Sequence, residues 1–168
     1  MKSFTAALIA ASLGLGSAAS AVAGDVQAAC TRTVYDYARA WDLADGAAFG
    51  ALFTETGSLD LGRGPTVGRE AISALPKAPN ERLMFRHLMT NVSIDVVDDK
   101  TARGVSYLLL FMAPRPAETK GAVEVDGFQS MGEYHDTFAI TSDGTCRIAE
   151  RKLVGVFTRP RPAQPAKP

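Results

Sequence analysis

The sequence predicts an α+β fold in which a strongly curved antiparallel sheet wraps around N-terminal helices to form a cone-shaped barrel. Apolar residues recur at helical spacing up to about residue 75, and long β-patterned runs separated by tight turns follow. Once a removable leader is set aside, roughly 140 residues remain, enough for one domain around one core.

The leader is read from the first residues. Met1-Lys2 gives a positive start, Phe4 to Leu15 is apolar, and Ala21-Val22-Ala23 before Gly24 has the small-residue pattern of a cleavage site. Residues 1–23 are therefore expected to be a signal peptide, and the protein to be exported, periplasmic or secreted. The apolar run is too short to serve as a retained membrane span.

The elements follow in order. Val34, Tyr37, Ala38, Trp41 and Ala44 mark an amphipathic helix from about Thr31 to Leu43, ended by Asp45-Gly46. Asp45 can cap a second short helix, Ala47 to Phe53. Thr56 to Leu61 alternates as a strand, Gly62-Arg63-Gly64-Pro65 turns the chain, and Gly68 to Leu75 reads as a third helix stopped by Pro76. Four long strands are then expected: Leu83 to Val97, Ala102 to Met112, Val123 to Ile140 and Cys146 to Phe157. Between the second and third, Ala113 to Gly121 is long and polar for a hairpin connection, either a flap over a cavity or a mobile loop. Residues 24–159 make the domain, and the prolines of 160–168 predict a disordered tail.

Composition excludes several classes of partner. Lys+Arg and Asp+Glu both total 18, so no net field draws the chain to nucleic acid or to a membrane surface. Cys30 and Cys146 are the only cysteines. In an oxidising compartment they can join as a disulfide, and otherwise they are two unrelated thiols.

Five segments carry a family resemblance: the helix Tyr35 to Asp42, the strand Leu52 to Leu61, the helix Gly68 to Ile72, the strand Arg86 to Asn91 and the strand Gly132 to Phe138. In their order and spacing they resemble the SnoaL-like branch of the nuclear transport factor 2-like superfamily, over about Thr31 to Phe157. The resemblance implies a cone fold and, by comparison with scytalone dehydratase and lindane dehydrochlorinase, a His on a strand held by an Asp on the first helix. His87 and Asp42 stand at those places. A carboxylate that accepts the Nδ1 proton fixes the tautomer and leaves Nε2 free as a base. Each residue also has a plainer reading, Asp42 as a solvated helix-end residue and His87 as a satisfied strand histidine.

His135 matches a second catalytic His if it faces inward, and is a surface or interface residue if it faces outward. Arg151 falls where lindane dehydrochlorinase places a cation for a leaving anion, or else lies on the outer sheet face paired with Glu150 or Glu133. Asn91 is expected to offer an amide to substrate or to satisfy backbone at a bend. Tyr37, Trp41, Phe53, Leu59, Phe85, Met89, Leu109, Phe111 and Phe138 are candidate pocket walls, or core.

The resemblance also implies a homodimer paired through the outer sheet face, with Val92, Ile94 and Tyr107 among the residues covering it. No glycine-rich phosphate loop, G-x-S-x-G elbow or CxxC pair occurs, and two distant histidines make a weak metal site. The expected function is cofactor-independent lyase, isomerase or hydrolase chemistry, dehydratase-like, on a small hydrophobic molecule. Its rivals are a noncatalytic pocket or dimerisation module and a periplasmic carrier.

Overall fold

The computed structural model describes residues 15–118 and 121–160. Most of the expected leader (residues 1–14) and the tail from residue 161 lie outside the described residues. In chain order the elements are α1 (Leu15–Asp42), α2 (Gly46–Ala51), β1 (Phe53–Asp60), β2 (Pro65–Val67), α3 (Arg69–Ser73), α4 (Lys77–Arg82), β3 (Leu83–Val96), β4 (Thr101–Pro114), β5 (Ser130–Ile140) and β6 (Cys146–Thr158).

Helix α1 begins well before the expected Thr31 because the stretch up to Cys30 is alanine-rich and proline-free, which favours helix strongly. The Ala21-Val22-Ala23 motif therefore falls within it. At its other end the chain leaves through a left-handed residue: Ala44 has φ 56°, Ala44 N–H donates to Trp41 O, and Asp45 N–H reaches back to Ala40 O at 2.9 Å. This pair of bonds closes the helix where glycine is the usual occupant. Asp45 then caps α2 by accepting from Ala48 N–H at 2.9 Å, as its sequence position predicts. The short α4 was not expected, since Pro76 and Pro79 read as breakers. Both prolines sit at or within its first turn, where a missing N–H costs nothing.

The six strands form one sheet in the order β2-β1-β6-β5-β4-β3. The α+β expectation holds, with two corrections. The sheet is curved but open, with β2 and β3 as edges, and β1 pairs with β6 in parallel. The long excursion between β1 and β6 supplies the chain that a parallel pair requires. The third long strand is also shorter than expected, since β5 starts only at Ser130 and 121–129 lie outside any strand.

Alternation along β3 is reset by a bulge. Between Thr90 and Ser93 the register with β4 slips, and Asn91 takes φ 49°. Phe85, His87 and Met89 face the helices before the slip. Ile94 faces them after it, against Gly104, whose lack of a side chain leaves room for Ile94 Cδ1 and the Phe138 ring. The expectation that Val92 and Ile94 cover the outer face is therefore wrong: Ile94 is core and Val92 packs on the core, whereas Tyr107 does lie on the outer face, opposite Thr90 and Glu133.

Helix α1 runs along the edge strand β3 and is tied to it near its middle and at its C-terminal end. Gln27 Nε2 donates to Ile94 O at 3.0 Å, and Asp42 Oδ2 accepts from His87 N–H at 3.1 Å. Fifteen helical residues and seven extended ones each span about 22–23 Å, so the two ladders match in length. Cys30 on α1 is bridged to Cys146 at the start of β6, which pins the middle of the helix across the sheet. Thr33 Oγ1 adds a bond to Cys146 O at 2.8 Å.

Inside the curve the core is aromatic. Tyr37 lies 4.8 Å from Phe49 and 5.4 Å from Tyr134, ring to ring, Trp41 stands edge-on to Phe49 at 5.3 Å, and Phe53 and Phe138 complete the fill. Rings in tilted and edge-on contact pack the interior densely.

Candidate active site

The last turn of α1 brings Asp42 against the first third of β3. Asp42 Oδ1 lies 2.6 Å from His87 Nδ1, and the two side chains are only 11% and 6% exposed. The second carboxylate oxygen takes the His87 main-chain N–H, a donor on the sheet edge that no neighbouring strand could satisfy. In the neutral ring, donation from Nδ1 leaves Nε2 with its lone pair. The imidazole is further fixed by stacking on Phe85 at 6.2 Å and by the Trp41 ring at 5.9 Å.

A buried side chain secures the helix end that presents the carboxylate. Asn80 of α4 donates through Nδ2 to Trp41 O and to Pro76 O, both at 2.8 Å. Arg115, just past β4, in turn donates from Nε to Asn80 O at 2.6 Å. These two residues were missed in the sequence, because nothing in the residue pattern announces a six-residue helix with prolines at its cap and in its first turn.

Beside His87 lies an open hollow of about 350 Å³ lined by Tyr35, Ala38, Arg39, Asp42, Leu43, Arg86, His87 and Met89. It sits between the outer side of α1 and the sheet edge rather than in the depth of the cone. A second hollow of about 350 Å³ lies between Gly121–Val125 and the ends of β3 and β4. Arg86 lines both.

The other residues singled out from the sequence divide clearly. Trp41 and Phe85 touch the imidazole. Tyr37 is fully buried among rings, its hydroxyl 3.3 Å from that of Tyr134, and so lies away from the hollow. Asn91 is exposed at the bulge, and the slip it creates removes it from the face of His87. His135 stands on the outer face, 50% exposed and 3.2 Å from Glu133, with Lys152 as cross-strand neighbour. Strand alternation separates it from the dyad by the thickness of the sheet. Leu109 and Phe111 are likewise outer-face residues, opposite Leu88 and Arg86.

Arg151 lies inside, not on the outer face. Its Nε and Nη2 each lie 2.7 Å from an oxygen of Asp136, and both side chains are wholly buried. The guanidinium is clasped between the rings of Tyr37 (4.1 Å) and Tyr134 (4.6 Å). Burial works against its charge, but the adjoining Asp136 carboxylate outweighs that and holds the guanidinium firmly protonated. The partner is Asp136, not Glu150 or Glu133.

An open curved sheet packed on N-terminal helices thus carries a helix–strand Asp–His pair at its rim. Residues 25–152 match the model of the SnoaL-like domain, and the chain belongs to that family. Solved structures agree on the fold. A candidate scytalone dehydratase from Novosphingobium aromaticivorans is 22% identical, with a TM-score of 0.69 over 89% of this chain and 96% of that one. Rv3472, a protein of unknown function from Mycobacterium tuberculosis, is 25% identical, with a TM-score of 0.64 over 84% and 80%. ActVI-ORFA from Streptomyces coelicolor is 20% identical, with a TM-score of 0.61 over 76% and 95%. No curated protein matches the chain.

Proposed function

We propose that the protein is a cofactor-independent lyase or isomerase in which His87, oriented by Asp42, is the general base. The carrying observation is the 2.6 Å contact between Asp42 Oδ1 and His87 Nδ1 at the wall of an open hollow. Nε2 takes a proton from a carbon acid, and Asp42 stabilises the imidazolium that forms. In a dehydration the C–H electrons become the new C=C bond, the C–O bond breaks, and the imidazolium returns its proton to the departing hydroxyl as water. In an isomerisation the same proton returns to another carbon. Trp41 flanks the imidazole with its ring, and its buried indole N–H has no acceptor among the described residues.

The test is solvent exchange. A panel of small carbonyl compounds is incubated with the protein in D₂O, and loss of C–H signal is followed by proton NMR. Exchange that falls at least about 10²-fold in His87→Ala is expected for a lost general base. No exchange across the panel, or equal exchange in the variant, contradicts the reading. One observation favours the rival, a binding module without turnover: the interior of the sheet is filled by rings and by the Arg151–Asp136 pair rather than open. In that case ligands bind and nothing exchanges.

Export and pairing belong to the same proposal. A leader-like start and a Cys30–Cys146 bridge support an oxidising compartment. Leu88, Leu109, Met131 and Phe157 are cross-strand neighbours in one outward apolar row across β3 to β6, which supports a homodimer through that face. Sedimentation of the wild type against Leu88→Glu tests it, and a monomeric wild type contradicts it.

A further inference from the structure

The hollow beside His87 is flanked by cations. Arg39 projects from the last turn of α1, three residues before Asp42 and so on the same helix face, and Arg86 immediately precedes His87 on β3. Both are exposed, and neither meets a carboxylate among the described residues; Arg86 makes one bond, from Nη1 to Phe85 O at 2.6 Å, and keeps its other N–H groups. The single acid in the lining is Asp42, which spends both oxygens on His87. Tyr35 adds a phenol, and Leu43 and Met89 an apolar floor.

Two guanidinium groups that meet no carboxylate among the described residues, around a hollow of this size, suit a small planar anion, which a guanidinium fork binds through two parallel bonds. Arg86 also rims the second hollow, whose other walls include Met84, Phe85, Met112, Val123 and Val125 and are almost wholly apolar. Phe85 is common to that hollow and to the stack on His87. An anionic group at Arg86 therefore has the imidazole on one side and an apolar cleft on the other.

We infer that the ligand is a small organic acid with an apolar body, its carboxylate held by Arg39 and Arg86 and its apolar part received by the cleft beneath Gly121–Val125. This narrows the expectation of a purely hydrophobic ligand. It rests on the proposed function only in giving His87 the reacting carbon. The anion site stands or falls on its own.

Binding is read from Trp41, the only tryptophan, whose ring lies 5.9 Å from His87. The protein is titrated with 4-phenylbutyrate and, separately, with 4-phenylbutyramide, a neutral molecule of nearly the same shape. The acid is expected to bind at least about tenfold more tightly, as charge-assisted bonds require, and the advantage is expected to shrink as salt is added. Arg39→Ala combined with Arg86→Ala is expected to abolish the preference; both positions are exposed, and the fold is checked by thermal unfolding. His87→Asn is expected to keep it. Equal binding of acid and amide, no binding of either, or a preference that survives the double substitution overturns the inference. A preserved acid preference without any proton exchange in D₂O supports the anion site and sinks the general-base reading alone.

Discussion

Asp42 grips His87 at two points, the imidazole Nδ1 at 2.6 Å through Oδ1 and the main-chain N–H at 3.1 Å through Oδ2. One carboxylate thus sets the position of the edge strand and the tautomer of the ring it carries. Asp42→Ala removes both bonds and leaves the His87 N–H without its partner, so unfolding in urea is expected to show a loss of about 1–3 kcal/mol. Asp42→Asn can offer only one oxygen, and a partial loss is expected. Stability unchanged in Asp42→Ala contradicts the two-point hold.

The Arg151–Asp136 pair is expected to be the most sensitive polar contact in the core. Asp136→Asn leaves a buried guanidinium without its counter-charge, and such breakage costs about 3–5 kcal/mol. Replacing both partners, Arg151→Met with Asp136→Leu, is expected to recover most of that loss in denaturant unfolding. A double variant no better than Asp136→Asn argues that the pair is not the source of the effect.

Tyr37 and Tyr134 make an alkaline prediction. Burial is the main cause that raises both phenols above their ordinary value near 10, and for Tyr37 the neighbouring Tyr134 adds to it while Arg151 opposes. The folded protein keeps these protons where the unfolded chain releases them, so stability is fully present below pH 10 and falls as pH rises above it. Ultraviolet titration of the four tyrosines is expected to show two that ionise only as the protein unfolds. Early ionisation of all four contradicts the buried placement.

The Cys30–Cys146 bridge closes nearly the whole domain, with 116 residues of separation. Loop-closure entropy for such a ring is about 4–5 kcal/mol, and measured losses on removing native bridges run at about 2–5 kcal/mol. Thermal unfolding with and without reductant is expected to differ accordingly. No difference means that the bridge is absent from the protein as made.

Much of the fold was legible because its signals are local. Helical spacing around Tyr37 and Trp41, the Asp45 cap and the long β runs each report on their own neighbourhood. Closure was not legible, since whether β2 and β3 meet depends on curvature and register. Facing was lost at Asn91, where a single left-handed residue reverses the alternation that a reader carries forward from His87. Arg151 illustrates the same gap: a charged residue on a strand reads as outward, and only the tertiary structure brings Asp136 and two tyrosine rings around it. The Asp42–His87 contact came from family likeness, and Arg39 and Arg86 were visible all along as neighbours of those two residues. Helix α4 and Asn80 had no such signal.

A carboxylate can only accept, so Asp42 is expected to keep the proton of the neutral His87 ring on Nδ1 and to leave Nε2 unprotonated. Nitrogen-15 NMR of the imidazole, assigned by comparison with His135→Gln, reads this directly in the neutral ring. The expected spectrum has a protonated Nδ1 and an unprotonated Nε2 for His87, with the balance shifting in Asp42→Ala. A His87 that carries its proton on Nε2, or a tautomer indifferent to Asp42, contradicts the account.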